Sequence, residues 1–134
     1  MRIYAVLDTN VLVSALYTSN FQAATARLIR ALGNGSFCTL YNDEIIKEYQ
    51  EVLHRGKFDF DSELVDALIE TVINNGVPAS RVASGEEFSD PDDAIFYEVA
   101  LSKDGAFVVT GNIKHFPRKP IVVTPAEMVK ILGV

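Results

Sequence analysis

The sequence predicts an α/β protein, a three-layer α/β/α sandwich with a central, mostly parallel sheet of four to five strands. Short apolar runs rich in strand-forming residues alternate along the chain with longer segments whose apolar residues recur at helical spacing. The runs are apolar at consecutive positions, as strands buried on both faces of a parallel sheet are. Two of them stop abruptly on polar triplets, Asp8-Thr9-Asn10 and Thr110-Gly111-Asn112.

The first strand is Arg2 to Leu7, and a short helical pattern follows through Leu16. Asn20 is the expected N-cap of a second helix, on which Ala24, Leu28, Ile29 and Leu32 share a face and which Gly33-Asn34-Gly35 stops. Ser36 to Tyr41 reads as the next strand. Asn42 or Asp43 caps a third helix with Ile45, Ile46, Tyr49, Val52 and Leu53 inward. After the loop Gly56–Phe60, Asp61-Ser62 opens a fourth helix with Leu64, Leu68, Ile69, Val72 and Ile73 as its inner face, ending at Asn74-Asn75-Gly76. Val77 to Val82 holds a short edge strand, where Pro78 is tolerated. Asp90 is the N-cap and Pro91 the first residue of a fifth helix that runs to Asp104-Gly105. Ala106–Val109 and Ile121–Val123 are the last strands, and Pro125 starts a terminal helix through Leu132.

At 134 residues and 49% hydrophobic, the chain reads as one domain, residues 1–134, with enough apolar material for a core. No apolar run approaches the roughly 20 residues of a membrane helix. Asp8 and Asn10 interrupt what a signal peptide would need. One cysteine, Cys38, sits in a predicted strand as a small core residue, and an intracellular, cytoplasmic protein is the expectation. A net charge of -6 argues against gripping nucleic acid by bulk positive charge. It leaves open a nucleic-acid enzyme whose acids are gathered around bound cations.

In a parallel sheet, strand ends and the first turns of the following helices meet at the carboxyl edge, where open α/β sheets bind ligands. Asp8, Asp90, Asp93 and Asn112 converge there, and Glu48 leans in from the third helix. Taken singly, Asp90 is a good cap, Asp93 suits the helix dipole, and Glu48 reads as a surface acid. Taken together, crowded carboxylates raise one another's pKa and call for a divalent cation. Oxygen ligands suit Mg2+ or Mn2+, and no cysteine or histidine set for zinc is present. Asp93 is expected to face the metal with Asp90 nearby, because Asp92 lies about 100° away around the helix. The positive groups expected to contact substrate are Arg55 and Lys57 after the third helix, and Lys114, His115, Arg118 and Lys119 after Asn112.

The chain resembles the PIN domain family over nearly its whole length. Asp8-Thr9-Asn10-Val11-Leu12 is similar to its first motif and Glu48 to its second acid. Asp90-Pro91-Asp92-Asp93 with Phe96 matches the third, and Thr110-Gly111-Asn112 with His115-Phe116 the fourth. The resemblance is greatest to the branch of toxin components of prokaryotic toxin–antitoxin pairs. It implies metal-dependent hydrolysis of phosphodiesters in single-stranded RNA. Asp8, Glu48 and Asp93 would be catalytic, with Asp90 and Asn112 as further metal ligands and Thr9, Asn10 and Thr110 orienting them. It also implies a small antitoxin partner, and the family often dimerises. Asn112 stands where the family commonly has an acid, so the chain also admits a weak or inactive PIN-like module that binds RNA or protein without cutting.

Overall fold

The computed structural model describes residues 2–134. Five strands, β1 (Tyr4–Leu7), β2 (Cys38–Tyr41), β3 (Gly76–Pro78), β4 (Phe107–Val109) and β5 (Val122–Val123), form one sheet in the order β3-β2-β1-β4-β5. Every neighbouring pair is parallel. Six helices, α1 (Thr9–Tyr17), α2 (Ala24–Gly33), α3 (Asp43–Leu53), α4 (Ser62–Asn74), α5 (Pro91–Ala100) and α6 (Pro125–Leu132), complete the three-layer α/β/α arrangement. No helix among the described residues is long and apolar enough to cross a membrane.

The chain leaves β1 in one direction to build β2 and β3, then crosses back to add β4 and β5 on the other side. The sheet therefore reverses between β1 and β4, the place where open α/β sheets open a crevice at their carboxyl ends. Ala5, Val6 and Leu7 of β1 are fully buried, which explains why that run is apolar without alternation. Asp8 follows directly, and its backbone N–H donates to the Val109 carbonyl of β4 at 2.9 Å.

Several boundaries differ from expectation. Asn20 caps no helix: its side chain accepts from Gln22 N–H in a turn, and α2 starts after Ala23. β2 begins at Cys38 rather than Ser36, β4 at Phe107 and β5 at Val122. The edge strand β3 begins at Gly76. α5 ends at Ala100, four residues before Asp104, and short turns carry the chain to Gly105. On α4 the inner face is Val65, Leu68, Ile69 and Val72, and Leu64 is exposed. The spacing of those four is a tighter helical stripe than one including Leu64, which lies about 100° away from Val65.

Gly76 is required by close approach. A Cβ there would lie 2.0 Å from Thr39 Oγ1 and 2.8 Å from the carbonyl oxygens of Thr39 and Val72. The end of α4 and β2 leave no room, and Thr39 Oγ1 already donates to the Val72 carbonyl at 2.6 Å. Gly76→Ala is expected to cost about 1–3 kcal/mol by overpacking, seen as a lower thermal midpoint in circular dichroism with native helix content retained. An unchanged midpoint would show that this corner yields.

Candidate functional site

Asp8 occupies the N-cap position of α1, yet its carboxylate makes no capping hydrogen bond. It turns instead across the β1/β4 junction. Thr110 Oγ1 donates to Asp8 Oδ2 at 2.8 Å, and Asn10 Nδ2 donates to the same oxygen at 3.1 Å. Asn10 Oδ1 accepts from Gly111 N–H at 3.0 Å, and Thr110 Oγ1 accepts from Asn112 N–H at 3.0 Å. Thr9, Asn10 and Thr110 thus stitch the end of β1 to the loop after β4. Thr9 also approaches the second acid, with Oγ1 3.4 Å from Glu48 Oε2.

Asp8 is only 6% exposed. Burial is the main reason its carboxyl is pushed up to about 6, against the Thr110 hydrogen bond, which favours the charged form; the charges of Asp93 and Glu48 add to the rise. Glu48, half-buried on α3, is also raised, first by burial and then by the charge of Asp92; Thr9 and Arg55 oppose this, and Asp90 adds to it. Asp93, half-buried in the first turn of α5, is raised by burial, by Asp90 and by Asp92, while His115 opposes. His115 Nδ1 lies 3.8 Å from Asp93 Oδ2.

Asp8, Glu48, Asp90 and Asp93 lie close enough for their charges to act on one another: Asp93 and Glu48 on Asp8, and Asp90 on both Glu48 and Asp93. The structure differs from expectation over Asp92. Asp92 is exposed and Asp93 half-buried, yet the charge of each reaches the site: that of Asp93 acts on Asp8, and that of Asp92 on Glu48. Asp90 caps α5 through Asp92 N–H at 2.9 Å and adds its charge as well. Asn112 is exposed and begins a 3-10 turn, Ile113–His115, without a side-chain cap bond. The expected substrate groups fall on two sides. Lys114, Arg118 and Lys119 line an open cleft of about 720 Å³ with Ile113, Phe116 and Val122. Arg55 and Lys57 lie beyond α3.

Two positioning residues escaped the sequence reading. Tyr49 appears there only as one of a buried stripe, but its hydroxyl donates to the Leu7 carbonyl, one residue before Asp8. That bond ties α3, and so the adjacent Glu48, to the end of β1. Arg81 joins α3 to α5, with Nη1 3.0 Å from Glu44 Oε2 and Nη2 2.8 Å from Glu98 Oε1. Its only signal in the sequence is a lone positive charge before the acidic stretch Gly85–Ser89.

The donor set suits a hard divalent cation. Asp8, Glu48 and Asp93 supply carboxylate oxygens, and each carboxyl is raised partly by neighbouring acids, a repulsion that a cation relieves. Among the described residues, no group of three or more His, Cys, Asp or Glu side chains is set to hold an ion as it stands. The residues fit a metal in donor type and charge.

A family model described as PIN domain matches residues 4–114. That span takes in Asp8, Glu48, Asp90, Asp93, Thr110 and Asn112. No curated protein matches the chain.

Proposed function

We propose, from the premise that this chain belongs to the PIN domain family, a nuclease-type fold, that it is a divalent-metal-dependent endoribonuclease acting on single-stranded RNA. The observation that supports this most is the acid cluster at the β1/β4 reversal, built on a carboxylate that is almost fully buried yet makes no helix cap. Asp8, Glu48 and Asp93 would hold Mg2+ or Mn2+, with Asp90 and Asn112 contributing at the rim. When bound, such an ion activates water toward phosphorus and offsets charge on the leaving oxygen.

The chain's own residues do the positioning. Thr110 and Asn10 hold Asp8 Oδ2, so the carboxylate cannot swing to cap α1. Thr9 steadies Glu48, and Tyr49 keeps α3 at the end of β1. Lys114 and Arg118, which line one cleft, and Arg55 after α3 would hold the phosphates that flank the scissile bond, with His115 beside Asp93. The finer assignment, a toxin restrained by a small antitoxin protein, rests on the likeness of the four motifs to that branch.

Single-stranded RNA incubated with the protein is expected to be cut internally in magnesium or manganese and spared in chelator. RNA that is bound equally with and without chelator, and never cut, would replace the enzyme by a binding module. The neutral Asn112 is the feature that favours that second reading.

A further inference from the structure

Tyr17 ends α1 with its ring 60% exposed. The ring meets Phe58 edge-on at 5.8 Å and Phe60 at 5.0 Å. Phe58 and Phe60 stack on each other with centroids 5.2 Å apart and planes 8° from parallel. Asp59 between them takes a left-handed backbone, φ 52°, which short polar side chains tolerate. Phe60 packs against the hydrophobic core, whereas Tyr17 and Phe58 do not. Phe60 thus anchors the cluster to the core, and Tyr17 and Phe58 are held against it.

Their position relates them to the acids. α1 and α3 lie side by side. Thr9, the first residue of α1, reaches Glu48 in the middle of α3, and Tyr17, the last, reaches the loop after α3. α1 has nine residues, which puts Tyr17 about 12 Å along the helix from Thr9. A few nucleotides of single strand span that distance. Arg55 is exposed, and its charge is felt at Glu48. Lys57 Nζ lies 5.0 Å over the Phe58 ring. An exposed Tyr17 ring beside the half-buried Phe58 and Phe60, interleaved with cations, supplies the elements of a single-strand binding surface, where bases stack on aromatics and the backbone tracks positive charge. In a chain of net charge -6, two cations at this one aromatic cluster favour a polyanion over an apolar protein partner.

We infer that Tyr17, Phe58 and Phe60 form a base-stacking platform for an unpaired nucleobase of single-stranded nucleic acid, with Arg55 and Lys57 on its backbone. This rests on the nuclease reading for its direction, since the strand would run from the platform to the acids. It adds a source of single-strand preference, because a base inside a duplex has both faces stacked on its neighbours.

The test scans 2-aminopurine through a short single-stranded oligonucleotide and titrates it with the full chain in chelator, so that cutting does not interfere. Fluorescence is expected to quench most at one register, and Tyr17→Ala or Phe58→Ala to weaken binding about tenfold, which is what stacking one base on a ring is worth. Tyr17→Phe keeps the ring and is expected to bind as the parent does. Both alanine variants lie outside the core, so an unchanged melting temperature is the control for folding. Equal affinity in the alanine variants, no binding, or a quench without register overturns the platform. So does loss of self-association in Tyr17→Ala at unchanged oligonucleotide affinity, which would make the cluster a protein-docking surface. The two readings separate in magnesium. Parent and Tyr17→Ala cutting RNA equally would overturn the platform alone, whereas a register-specific quench with no cutting in magnesium or manganese would overturn the nuclease alone.

Discussion

Asp8→Asn is expected to lower metal-dependent RNA cleavage by at least about 100-fold, since loss of a ligand should exceed the 10–100-fold typical of its supporting partners. The same change is expected to stabilise the metal-free protein at neutral pH. The carboxyl is buried and raised from 3.8 to about 6. A group raised on folding contributes its full stability below the unfolded value and loses it as pH climbs through the folded value. Here the loss falls between about pH 4 and pH 6 and amounts to about 3 kcal/mol above that window. An asparagine keeps an oxygen for Thr110 Oγ1 and Asn10 Nδ2 and carries no charge to desolvate. Melting curves should therefore favour Asp8→Asn at pH 7.5 and converge with the parent only below about pH 4, under the unfolded value. Undiminished cleavage by the variant would remove Asp8 from the site. A variant less stable at pH 7.5 would show that the carboxylate is not a strained charge.

Magnesium or manganese is expected to reverse that penalty in the parent protein. A ligand at 100 times its Kd adds about 2.7 kcal/mol, which for a chain of this length is a rise of roughly 10 °C in melting temperature. The effect is expected to shrink as pH falls from 7.5 to 5, because Asp8, Glu48 and Asp93 are all raised and protons then compete with the ion for them. Asp8→Asn should lose most of the shift at every pH. Differential scanning fluorimetry with and without chelator measures it. A shift of the same size at pH 5 and 7.5, or one retained by Asp8→Asn, would place the ion elsewhere.

Asp8, Asp90 and Asp93 lie at a strand end or a helix start, which a parallel sheet gathers at one edge whatever the details of packing, whereas Glu48 lies in the middle of α3. The terminal helix was legible to its ends, Pro125 and Leu132, because its start and stop are local chemistry. Thr124 and Glu127 form a reciprocal capping box, and Gly133 takes the left-handed conformation at the other end. Asn20 differs from expectation for a local reason, a turn closed by Gln22 N–H, and Leu64 for a packing one. Leu64 and Val65 are equally apolar, and only the packing of α4 beneath the sheet buries one and exposes the other.

Residue order alone assigns Asp8, Asp90, Asp93 and Asn112 to the carboxyl edge of an α/β sheet, with Glu48 on the helix beside it, since strand, turn and helix signals are read within a few residues. Which acid opposes which followed from packing. Tyr49 on Leu7 and Arg81 across Glu44 and Glu98 set how α3 meets α5. That approach leaves Asp92 acting on Glu48 and Asp93 on Asp8, a pairing made by side chains far apart in the chain. The aromatic cluster is of the same kind. Tyr17 and Phe58 are 41 positions apart in the chain, and nothing in the local spacing of either foretells that their rings meet.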